Sequence, residues 1–267
     1  MATAATIAPF TAAVERLGSK SPVAATLSSA EWSEVPLALR ERSFFSARVA
    51  EAQKVNALKR GLEAALMLEG DTFMDPAKFV ATIRREIGAE PGDTGELTDL
   101  ASRRRLELIY RQNIESAQEY GRWKAGNDPD LLDAYPAQEL IRVESREVER
   151  DWSARWAQAG GREYGGRMVA LKNDPVWAKL SRFGTPWPPF DFGSGMGVED
   201  VSRSEAEALG LLAPGAPPPQ SPELGFNQAL EASVAGLSPE LASALIESMG
   251  GSAQLIGNVI RWIGGKA

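Results

Sequence analysis

Through most of the first half of the chain, apolar residues recur every three to four positions; in two short stretches beyond it they alternate. The first spacing gathers side chains on one face of a helix, the second on one face of a strand. Ser28 and Glu31 have the spacing of a capping box, and Pro36 stands near the start of a longer pattern. There Phe45, Val49, Ala52, Val55, Leu62 and Leu66 form an apolar stripe, with Arg42, Glu51, Lys54 and Lys59 between them. The pattern predicts one amphipathic helix ending near Gly70. A second helix is punctuated at both ends: Asp75 suits the N-cap, Pro76 the first turn and Gly88 the C-terminal cap, with Phe79, Val80, Ile83 and Ile87 facing the core. A third is expected from Asp99 to Trp123, with Leu106, Tyr110, Ile114 and Ala117 on one face. Arg103, Arg104 and Arg105 open it, where the helix dipole disfavours cations, so they need partners or solvent.

"QELIRVES" and "RMVAL" (167–171) alternate well enough to be short strands, separated by a charged segment. Ser202 and Glu205 repeat the capping-box spacing before a short helix stopped by Gly210. "APGAPPPQSPE" reads as a stiff extended linker. Beyond it Ser238 and Pro239 open a helix, and Leu255, Ile256, Val259, Ile260 and Ile263 predict a terminal amphipathic helix suited to docking on a partner or on its own body. The expected class is α+β, predominantly helical, with a short antiparallel sheet and an irregular Pro/Gly/aromatic loop.

That loop is "NDPVWAKLSRFGTPWPPFDFGSGMG", residues 173–197, with two tryptophans, three phenylalanines, four prolines and four glycines. It either encloses a ligand or forms an aromatic plug with an assembly role. The chain has 267 residues, enough for one large domain or two smaller ones, and a formal net charge of -7, a poor prior for a dedicated nucleic-acid binder. It holds no cysteine and no histidine, which excludes thiolate nucleophiles, cysteine- or imidazole-bound metals and a Ser-His-Asp triad. Neither a signal peptide nor a run of the roughly 18 apolar residues that a membrane span needs is evident, so a soluble protein made in a reducing cytoplasm is expected.

Three motifs invite a chemical reading. "DFG" at Asp191–Gly193 matches the magnesium-binding tripeptide of kinases, but the phosphate-covering glycine loop, the strand lysine and the catalytic loop are missing, so it reads as a turn. "GSGMG" lacks the preceding buried strand of a dinucleotide fingerprint, because "PWPPFDF" cannot be one. Glu144, Glu147, Glu149 and Asp151 could bind a hard cation or do acid/base work, yet Arg142, Arg146, Arg150 and Arg155 interleave with them and favour an ion-pair network. Trp152 and Trp156 are helical neighbours suited to a core or an interface.

The helix "RRRLELIYRQNIESAQEYGRW", a strand, a charged segment with "GG", a second strand, "NDPVW" and "PWPP" follow in an order that resembles the phage minor head protein, or Mu F-like head morphogenesis, family. Arg105, Ile109, Tyr110, Asn113, Ala117, Gly121, Arg122 and Trp123 fit the family's helix motif; Asp174, Pro175, Trp177, Pro188 and Pro189 fit its second motif. The likeness covers roughly residues 30 to 210 and departs from the family in lacking its histidine and its "HPNCRC"-like ending, for which "FDFGSGMG" stands here.

The resemblance and the residue patterns together give a helical region (1–98), a head-morphogenesis module (99–212) and, from the patterns alone, a proline-rich linker with C-terminal helices (213–267). The resemblance itself speaks to function. It implies a structural, non-enzymatic component of a phage or prophage head, without cofactor or metal, made in the bacterial cytoplasm and carried into the virion. Its partners would be portal, major capsid or scaffolding protein, with non-specific contact to packaged DNA in second place and no membrane. Trp177, Phe183, Trp187, Phe190, Trp152 and Trp156 are the candidate interface residues, with an internal core as the competing reading; Arg103, Arg104 and Arg105, with the arginines of residues 142 to 167, are the candidate DNA contacts. The alternative function is a carboxylate-dependent hydrolase or toxin-like effector carried on such a module, which requires converging acids in a concave pocket.

Overall fold

The computed structural model describes residues 8–67, 74–220, 231–249, 251 and 253–263. In chain order come α1 (Ala8–Gly18), β1 (Ser21–Val23), α2 (Ser29–Glu34), α3 (Leu37–Arg42), β2 (Ser43–Phe45), α4 (Ala52–Leu66) and α5 (Pro76–Glu86). Then follow α6 (Arg103–Gly126), α7 (Pro129–Ala134), β3 (Ala137–Arg142), α8 (Trp152–Gln158), β4 (Glu163–Tyr164), β5 (Arg167–Leu171), α9 (Val176–Leu180), β6 (Met196–Val201) and α10 (Arg203–Ala208). The chain closes with β7 (Glu231–Ser233), α11 (Pro239–Ser248), β8 (Ala253–Ile256) and β9 (Val259–Trp262). The protein is mixed α+β and predominantly helical, as its sequence pattern indicates.

Two compact units share the chain. One comprises residues 14–114 and 224–267, the other 1–13 and 115–223. This division differs from the expected consecutive segments 1–98, 99–212 and 213–267. The reason lies in the first unit, where Ala232, Val234, Leu245 and Ile260 from the C-terminal part share a core with Val23, Val35 and Leu39.

In that unit the expected helix from Pro36 is interrupted. α3 ends in β2, which pairs in parallel with β1, and α4 starts only at Ala52. A strand sends the adjacent Phe44 and Phe45 to opposite faces, where Phe44 is buried and Phe45 stacks on Trp32 at 4.2 Å. Arg48 then adopts a left-handed φ of 57°, which no helix accommodates. From α4 onward the apolar stripe holds, with Val55, Leu58, Leu62 and Leu66 buried; the expected end near Gly70 lies outside the described residues. Gly61 lets α5 approach, since a Cβ there would lie 2.6 Å from Ile83. α5 is capped by Asp75 as expected, and Gly88 follows it at φ 65°. The predicted terminal helix is instead the hairpin β8–β9, which turns through Gly257 and Asn258 and joins β7 in a sheet of order β7-β9-β8. Gly257, at φ 61°, supplies the turn that a helix could not use, and β-branched residues favour the strand after it.

In the second unit a four-stranded antiparallel sheet has the order β4-β5-β3-β6. The two strands predicted from alternation pair directly, Ala137 opposite Leu171. β4 and β5 are joined by Gly165 and Gly166, at φ 61° and 82°, the positive angles that a two-residue hairpin turn needs. The charged segment forms α8, capped by the Asp151 carboxylate accepting from the Ala154 amide. Ser202 caps α10, but the Glu205 side chain bonds Arg167 and leaves the second half of the box unmade.

Candidate functional site

The aromatic loop folds onto the sheet rather than away from it. Trp177 sits on α9, with Asp174 accepting from the Val176 amide just before it, and its indole N–H donates to the Leu171 carbonyl at 2.8 Å. Trp156, from α8, meets Trp177 edge-on at 5.1 Å and donates its own N–H to the Arg162 carbonyl at 3.0 Å. Phe190 stacks on Trp177 at 6.1 Å, and Trp152, Leu140, Val176 and Met196 complete the cluster. The chain after α8 closes over Trp156 at Gly161, where a Cβ would lie 2.3 Å from the indole. Trp187 packs elsewhere, at 5.1 Å from both Tyr120 and Trp123, with Ala12 alongside.

Of the six candidate interface residues, Trp152, Trp156, Trp177, Trp187 and Phe190 are therefore core. The correction has a simple cause: buried indoles seek both apolar surface and an acceptor for their N–H, and for Trp156 and Trp177 the backbone carbonyls of Arg162 and Leu171, in the segments flanking β4 and ending β5, provide the acceptor. Phe183 stays half-buried, edge-on to Phe192 at 5.0 Å.

The three opening arginines of α6 also separate. Arg103 and Arg104 are exposed, whereas Arg105 is buried and donates to the Thr98 carbonyl at 2.9 Å and to the Ala47 carbonyl. Arg105 thus holds a loop together and is not available to DNA. Further along α6, Tyr110 is buried against Phe79 and donates to the Met74 carbonyl, Asn113 bonds the Ile109 carbonyl, and Arg122 pairs with Glu119.

The acids after β3 are distributed among arginines: Glu149 pairs with Arg142 at 3.2 Å, Glu144 with Arg146 at 2.6 Å, and Asp151 serves as the cap. Among the described residues no group of three or more acids could hold a metal ion.

Asp191, expected to be only a turn residue, is a hub. Its carboxylate is 4% exposed and takes Arg155 at 2.9 Å, Arg150 at 3.5 Å and Arg182 at 3.7 Å. It also accepts from the Phe192 amide. Gly195 turns the next segment at φ 65°, and a side chain there would meet the Glu144 carbonyl at 2.5 Å. Three more ion pairs tie the sheet: Arg167 bridges Glu139 and Glu205, and the buried Lys172 meets Asp200 at 2.7 Å. Sequence reading missed the role of Asp191 because the three arginines lie up to 41 positions away.

No family model, curated protein or solved structure matches this chain. Among the described residues no helix is long and apolar enough to cross a membrane.

Proposed function

We propose that the chain is a structural minor head protein of a tailed phage or prophage, taking part in procapsid assembly near the portal. The observation that carries this reading is the meeting of its two motif regions. Trp123, which ends the helix motif, packs at 5.1 Å on Trp187, which directly precedes the two prolines of the second motif. The end of the helix motif, from Ala117 to Trp123, thereby shares one folded unit with the second motif some sixty residues on, while Arg105 to Asn113 belong to the other unit. The pairing of Glu144 and Glu149 with arginines speaks against the hydrolase alternative, which needs acids converging on a substrate.

The surfaces offered to portal, capsid or scaffolding protein would be other than the buried tryptophans; Phe183 is the one candidate aromatic left partly accessible. The test is co-expression with the portal and major capsid proteins of the same phage or prophage, followed by the composition of purified procapsids. Incorporation in low copy that requires the portal is the expected result, and exclusion from the particles removes the proposal.

A further inference from the structure

We infer that Arg150, Arg155 and Arg182, gathered around Asp191, form a binding site for phosphate groups. One buried carboxylate faces three guanidinium groups whose side chains are 36%, 37% and 45% exposed, so the cluster presents an excess of two positive charges to solvent in a chain of net charge -7. Each guanidinium is held in place without being used up. Arg150 donates to the Phe192 carbonyl at 2.8 Å and the Gly193 carbonyl at 3.3 Å. Arg155 lies over the Trp152 ring at 5.0 Å and gives one hydrogen bond, to Asp191. Arg182 lies over the Phe192 ring at 5.5 Å and, at 3.7 Å from Asp191, gives no side-chain hydrogen bond to any described residue.

Most donors of Arg155 and all of those of Arg182 therefore remain for an acceptor from outside. A planar fork with paired N–H groups matches phosphate oxygens, and pre-positioning removes part of the ordering cost of binding. The nearby acids are engaged: Asp151 caps α8, Glu149 holds Arg142 and Glu144 holds Arg146. Glu147 is exposed, and because the attraction between the exposed arginines and an anion is screened by ions, binding should weaken with salt. The phosphate could belong to a small molecule or to a nucleic-acid backbone. The inference uses this cluster alone and does not depend on the head-protein reading.

The experiment titrates the full chain at low salt with inorganic pyrophosphate, followed by tryptophan fluorescence, and with random-sequence single- and double-stranded oligonucleotides, followed by anisotropy. Saturable binding of at least one probe is expected, about tenfold weaker on Arg182→Gln and again on adding Arg155→Gln. Arg85→Gln, at an exposed position of α5 outside both arginine groups, should leave it unchanged. Pyrophosphate binding alone identifies a small phosphate ligand. Oligonucleotide binding whose log–log salt slope falls by about 1 per arginine removed identifies a backbone contact. Failure of both probes with the native chain, or binding indifferent to the two substitutions, overturns the inference. Should the double variant unfold, Arg182→Gln decides alone, because that side chain makes no hydrogen bond that folding needs.

Discussion

Lys20 is the residue whose environment most opposes its charge. Burial draws its amine down to about 8 from an ordinary 10.5, against the attraction of Glu41 and with the repulsion of Arg16 and Arg40. Burial works to raise the Glu41 carboxyl, but Lys20, Arg16 and Arg40 together hold it below its usual value. Because the folded chain binds the Lys20 proton less tightly than the unfolded chain, the penalty is full below about 8 and is relieved as pH rises towards 10.5. Lys20→Met should therefore stabilise the protein at pH 7 by roughly 1–2 kcal/mol, after allowance for the partial exposure of the lysine. Urea unfolding at pH 7 and pH 10 checks this: the advantage should shrink at the higher pH. At Gly161 the constraint is steric. Gly161→Ala places a methyl group against the Trp156 indole and should cost about 1–3 kcal/mol by the same measurement. Gly161 was legible only as part of a "GG" pair; which side chain it makes room for is a fact of the fold.

Among the elements, α8 shows how local signals and tertiary packing combine. Asp151 caps it, and the spacing of Trp152 and Trp156 turns both rings to the sheet. Asp151→Ala should lower stability by about 1 kcal/mol, whereas Trp156→Ala should cost about 3–5 kcal/mol by emptying the cluster. Thermal unfolding of the two variants should reproduce that ranking. Caps, turn glycines and alternating strands were readable because their signals lie within a few residues of one another. β6 was not, since its segment begins in a glycine-rich stretch and becomes a strand by pairing with β3, from Met196 opposite Arg142 to Val201 opposite Ala137. The C-terminal hairpin misled for a related reason: a short apolar run fits two periods, and Gly257 arbitrates only once a sheet exists to receive both strands.

For the whole molecule, the C-terminal segment belongs to the core of the unit that begins near residue 14, not to an appendage. Ending the chain at Gln220 removes Ala232, Val234, Leu245 and Ile260 from contact with Val23 and Leu39. The truncated protein should lose protection from amide exchange in β1, α3 and β2 while β3, β5 and β6 keep theirs. Equal protection throughout would show that the segment is a detachable tail. By itself, the sequence determined the mixed, mainly helical class, most helix caps and the two strands that seed the main sheet, because propensity and periodicity act over short range. It also determined the chemistry that is absent, since a chain without cysteine or histidine cannot build a thiolate or imidazole site. That Trp152, Trp156, Trp177 and Trp187 are core, that Arg105 is internal, and that Arg150, Arg155 and Arg182 meet on Asp191 follows from the folded arrangement alone. Burial and charge pairing depend on which distant segments come together, and no local pattern records that.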